Sequence, residues 1–86
     1  MMGEEEILKV IRTVKNAFKN KNPKIIGLII GLKNFEEFEK VAEELIETLD
    51  ALGFEIDNKI VIPEDNLIEV ASKKHKCVLK FYIYPE

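Results

Sequence analysis

The spacing of apolar residues switches between helical and extended periods along this chain, and each switch marks an element. Over residues 4–20, Ile7, Ile11, Val14 and Phe18 recur at helical spacing while Leu8, Val10 and Ala17 widen the stripe, which predicts an amphipathic helix. Glu4, Glu5 and Glu6 stand near its positive end, and Lys15, Lys19 and Lys21 near its negative end, so the charges suit the helix dipole. Asn20-Lys21-Asn22-Pro23 then ends the helix, because the residue before a proline disfavours helical geometry.

From Lys24 to Leu32 the pattern changes to an almost unbroken apolar run, Ile25-Ile26-Gly27-Leu28-Ile29-Ile30-Gly31-Leu32. Without alternation, both faces of this strand are expected to be covered, which predicts a central strand. Gly27 within it suggests close packing by a helix or a neighbouring backbone, and Gly31 a turn out of the sheet. Asn34, with Glu37 three residues on, has the spacing of a capping box that opens a second helix. Its buried stripe is Phe35, Phe38, Ala42, Leu45, Leu49 and Leu52, and Gly53 is its stop. Strand, helix and the next strand then form a βαβ unit, right-handed if the strands are parallel neighbours.

Beyond Gly53, residues 54–62 read as a strand or a tight hairpin about Asp57-Asn58, closed by Pro63. Cys77 to Tyr84 alternates, with Cys77, Leu79, Phe81 and Ile83 on one face and Val78, Lys80, Tyr82 and Tyr84 on the other. Between them, Leu67-Ile68-Glu69-Val70-Ala71 is too short and too β-branched for a good helix, which favours a meander over three αβ repeats. The expected fold is therefore an α/β domain spanning residues 1–86, an α+β two-layer sandwich in the order α-β-α-β-β-β. Both helices lie on one face of a mixed sheet. In topology alone this resembles small α/β sandwiches such as the sulfur-relay proteins and the core of a cell-division protein family. The sulfur-relay proteins start a helix with Cys-Pro, whereas here Cys77 precedes Val78 in the last strand, so no residue role carries across.

Composition sharpens this picture. At 86 residues, 47% hydrophobic and 34% charged, the chain suits one modest core rather than a deep pocket or a disordered segment. One cysteine excludes an intramolecular disulfide, and neither a signal-peptide pattern nor a membrane-length apolar run is present, which sets a cytoplasmic expectation without a membrane partner. Twelve Lys and thirteen Glu beside one Arg lean towards a thermophilic prokaryote.

Charge is distributed unevenly. Residues 1–24 carry net +3, residues 25–72 net −9 and residues 73–86 net +3. Glu36, Glu39, Glu43, Glu47 and Asp50 fall at helical steps opposite the apolar stripe of the second helix, forming a solvated acidic face that would suit a basic partner. Lys73, Lys74, His75 and Lys76 make a basic hairpin tip. With Lys80, Tyr82 and Tyr84 they compose the candidate partner-binding or nucleic-acid-binding set, since aromatic platforms beside basic residues hold single-stranded RNA.

Enzymatic chemistry finds no support. The turn from Gly31 to Asn34 lacks both the Lys-Ser/Thr pair of a P-loop and the GxGxxG spacing, and Glu36 and Glu37 would repel a phosphate there. His75 and Cys77 supply half of a zinc site, and nothing completes it. No catalytic residue, metal or cofactor is expected. The expected function is a small noncatalytic protein–protein interaction module, a homodimer through the face or edge of its sheet. The alternative is an RNA-binding domain.

Overall fold

A computed structural model gives the fold for residues 4–19, 25–33, 35 and 37–86, the side chains of residues 4, 6, 7 and 17–19 excepted. The elements are α1 (Glu4–Lys19), β1 (Ile25–Leu32), α2 (Phe38–Ala51), β2 (Asn58–Ile62), a 3-10 turn (Pro63–Asp65), β3 (Leu67–Ser72) and β4 (Cys77–Pro85). The result is the expected α+β fold, two helices on one face of a four-stranded mixed sheet, with residues 67–72 as a strand.

Strand order is β1-β4-β3-β2, with β4 parallel to β1 and antiparallel to β3, and β3 antiparallel to β2. The chain leaves β1, crosses through α2 to the far edge, and meanders back until β4 inserts beside β1. Two expectations fall here. β1 is an edge strand rather than a central one, and β1 and β2 run parallel but stand two strands apart, so they are not the neighbours of a simple βαβ unit. The reason lies in β1 itself. Its core-facing set, Ile26, Leu28, Ile30 and Leu32, and its opposite set, Ile25, Gly27, Ile29 and Gly31, are both apolar, so the run reads as buried on both sides when only one side is.

The two glycines of β1 also differ from expectation. Gly27 is exposed, and a β-carbon there would meet nothing within 4 Å, so no helix or backbone packs on it. Gly31 stays in the strand opposite Tyr84, and a β-carbon there would lie 3.2 Å from the Glu86 side chain. The turn comes later, at Lys33.

The core lies between the sheet and the helices. Val10 and Val14 from α1, Phe38, Val41, Ala42, Leu45 and Leu49 from α2, and Ile30, Ile68, Val70, Leu79, Phe81 and Ile83 from the sheet are all buried. Leu8 is half-exposed, because two residues before Val10 is a rotation of about 200° and points to the opposite side of the helix. Ile7, Ala17, Phe18 and Lys19 belong to described backbone, but their side chains lie outside the described residues, as do Lys21, Lys24 and Asn34.

Helix α2 starts at Phe38 with Glu37 in the N-cap position and no side-chain capping bond. Its C-terminus closes as a Schellman motif. Gly53, at φ +85°, donates to the Asp50 carbonyl at 3.0 Å, and the amide of Phe54 donates to the Leu49 carbonyl at 3.1 Å. That turn buries Phe54 and leaves Leu52, expected in the buried stripe, 50% exposed. Residues 54–57 are irregular, so the strand expected over 54–62 is confined to Asn58–Ile62.

Candidate interaction surface

Register assigns every residue on the sheet face that the helices do not cover. Three rows run across all four strands: Ile25–Val78–Ala71–Asn58, Gly27–Lys80–Glu69–Ile60, and Ile29–Tyr82–Leu67–Ile62; Gly31 and Tyr84 add a short fourth row. Ile29 is 80% exposed and Ile25 64%, with Ile60 and Tyr84 also exposed and Val78, Tyr82, Leu67 and Ile62 partly so. The face is therefore apolar throughout, apart from Asn58 at one corner and one pair of opposite charges near its middle. Exposed apolar surface that is contiguous, rather than scattered, marks a place where something binds.

Lys80, Tyr82 and Tyr84 stand on this face as the alternation of β4 predicts. Ile25, Ile29, Ile60, Ile62, Leu67 and Glu69 complete it and were missed. Their signal was present as the non-core half of each strand's two-residue period, but only the strand order brings those halves together.

The basic turn is elsewhere. Lys73, Lys74, His75 and Lys76 form the exposed β3–β4 turn, with Lys76 at φ +51°. Five residues of extended chain, about 17 Å, separate Cys77 at its foot from Tyr82. The turn folds towards the segment after α2 rather than over the open face. The Lys73 amide donates to the Asp57 carboxylate, and the Lys74 ammonium lies 3.4 Å from Glu55. The His75 ring stacks on buried Phe54, with centroids 5.5 Å apart and planes 8° from parallel, and its Nε2 is 3.4 Å from the Gly53 carbonyl. The structure thus brings Lys80 and the tyrosines together and sets the other basic residues apart.

Cys77 is buried beneath that turn in the β4 inner row, and desolvation raises its thiol pKa above the ordinary value. Ser72 is buried beside it in register, its Oγ 3.4 Å from the donating amide of His75. Among the described residues no three His, Cys, Asp or Glu side chains converge as metal ligands, and every buried side-chain nitrogen or oxygen has a partner. No described helix is long and apolar enough to cross a membrane.

Glu39, Glu43, Glu47 and Asp50 are exposed along α2, as the helical spacing predicts, whereas Glu36 lies outside the described residues. They rim two adjoining open clefts of about 460 and 440 Å³ between α2 and β2, floored by Ala42, Ile46, Ile56 and Val61, with Lys59 between them. Comparison with protein-family models, curated proteins and solved structures finds no match to this chain.

Proposed function

We propose that this domain is a noncatalytic interaction module that pairs with a second copy of itself through the open face of its sheet. The observation that carries the reading is the row Ile29–Tyr82–Leu67–Ile62, an apolar band spanning every strand and led by an isoleucine 80% exposed. Full burial of an isoleucine is worth roughly 1.5–3 kcal/mol, and Ile29 leaves most of that unrealised in the isolated chain.

The face is also self-complementary. Place a two-fold axis between β3 and β4, parallel to the strands, and two sheets stack with β4 of one copy over β3 of the other. Lys80 then lies over Glu69 of the second copy and Glu69 over its Lys80, while the apolar row meets itself reversed, Ile29 over Ile62 and Tyr82 over Leu67. An isologous contact needs this exchange of partners. Gly27, where a β-carbon would meet nothing within 4 Å, permits close approach of the two sheets at its row.

The test is the solution mass. Light scattering should give a dimer for the native chain and a monomer for Tyr82→Asp and for Ile29→Asp, both folded by circular dichroism. A native protein that is monomeric at every concentration, or a dimer indifferent to both substitutions, overturns the reading.

A further inference from the structure

A pocket between α1 and the end of α2 differs in kind from the acidic clefts beside β2. It encloses about 210 Å³, and no acidic residue lines it. Buried Val14, Leu49 and Phe54 form its floor, while Ile11 and half-exposed Leu52 form its walls. The cavity follows from the way α2 ends, because the turn at Gly53 carries Phe54 inwards and leaves Leu52 at the rim. His75, whose ring stacks on Phe54 with centroids 5.5 Å apart, closes one end. Exposed Lys15 on α1 places a single ammonium at the mouth, and no carboxylate pairs with it among the described residues. Glu55, the residue after Phe54, is turned instead to the Lys74 ammonium at 3.4 Å.

We infer that this pocket holds the tail of an unbranched aliphatic monocarboxylate of medium length, with the carboxylate at the Lys15 ammonium. Size, lining and charge each narrow the occupant. The volume lies below the roughly 300 Å³ at which sites for drug-sized ligands begin, so it suits a slender chain rather than a ring system. An aliphatic and aromatic lining offers the tail dispersion and desolvation and asks for no hydrogen bond along it. One lysine offsets one negative charge, and no arginine fork lines the mouth to hold a phosphate dianion. A cationic amphiphile shares the tail and is repelled by Lys15.

The experiment follows amide shifts of the isotopically labelled full chain in NMR titrations with sodium octanoate, below its micelle concentration. Saturable shifts are expected at Lys15, Gly53, Phe54 and His75, with the same affinity in Tyr82→Asp, which keeps this site apart from the self-association surface. From butanoate upwards each methylene should tighten binding by up to about fourfold, levelling off before dodecanoate once the pocket is full. Octylammonium should bind at least tenfold more weakly than octanoate. Lys15→Glu should reverse that preference, Lys15→Arg should preserve it, and Leu52→Ser should weaken octanoate several-fold. Lys15 and Leu52 are both exposed enough that these variants leave the core intact. An absence of saturable shifts, shifts confined to the open sheet face, or loss of binding in Tyr82→Asp overturns the inference. So does tightening that continues unchanged to dodecanoate, which describes adsorption to a surface rather than a bounded pocket. A preference between octanoate and octylammonium that Lys15→Glu does not move overturns the assignment of the carboxylate to Lys15.

Discussion

Lys80 and Glu69 stand directly opposite each other on β4 and β3, the only charged residues in the rows of the open sheet face, which are otherwise apolar but for Asn58. Within one chain such a cross-strand pair is worth at most about 1 kcal/mol, too little to explain charge in that setting. Between two copies related by the proposed axis it becomes two reciprocal pairs. Glu69→Lys and Lys80→Glu should therefore each lose the dimer while staying folded. An equimolar mixture of the two variants should recover a heterodimer, because every cross-copy contact then joins unlike charges. Native mass spectrometry distinguishes these species, and failure of the mixture to associate would remove Lys80 and Glu69 from the interface.

Two glycines separate folding from association. Gly53 sits at φ +85° in the turn that closes α2, so Gly53→Ala forces a β-carbon into left-handed geometry and should cost about 1 kcal/mol in urea unfolding. Gly27 has open space where a β-carbon would go, and valine suits a strand. Gly27→Val should leave the stability of the monomer unchanged or slightly raised, yet weaken self-association by filling the space between the stacked sheets. Tighter association by Gly27→Val would argue against face-to-face stacking at that row.

How far the sequence announces these features depends on how local each one is. Both helices, the β3–β4 meander and the inward row of Cys77, Leu79, Phe81 and Ile83 follow from periods complete within a few residues. Leu52 was misplaced because periodicity continues a stripe past the point where Gly53 turns the chain and substitutes Phe54. The place of β1 was illegible for a deeper reason. Ile25 and Ile29 are apolar for the open face while Ile30 and Leu32 are apolar for the core, and a one-dimensional pattern cannot tell a second core from an association surface. The Lys80–Glu69 pair depends on the register of two strands and so emerges only once the sheet is assembled.

Burial makes Cys77 a chemical reporter of unfolding. Its thiol pKa is raised by desolvation, so the native state holds the proton more tightly than the unfolded chain does. The associated stability is therefore complete below the unfolded thiol pKa of about 8.5 and is lost as pH rises through the higher native value. Thiol reagents should label the native protein no faster than it opens, and the rate should jump at the urea midpoint. Cys77→Ala should cost roughly 1 kcal/mol at neutral pH and flatten the decline in stability above pH about 8.5. Rapid labelling of the native chain would instead mean that the β3–β4 turn exposes the thiol.

Single-stranded RNA gives the last discrimination, since the tyrosines and the lysines invoked for it occupy different parts of the molecule. Tyr82 lies about 17 Å along β4 from the foot of the basic turn. There the backbone amide of Lys73 donates to the Asp57 carboxylate, the Lys74 ammonium lies beside Glu55, and His75 is stacked on Phe54. Of the basic residues considered, only Lys80 shares the tyrosine face, and Glu69 stands opposite it. A phosphate backbone tracking the turn would thus pass Asp57 and Glu55 instead of leading its bases to Tyr82 and Tyr84. Titration of the native chain into labelled mixed-sequence RNA at low salt should show no saturable binding, and Lys73→Glu with Lys74→Glu should change nothing. Tight binding that weakens steeply with salt, and disappears in that double variant, would make the basic turn a nucleic-acid site in its own right.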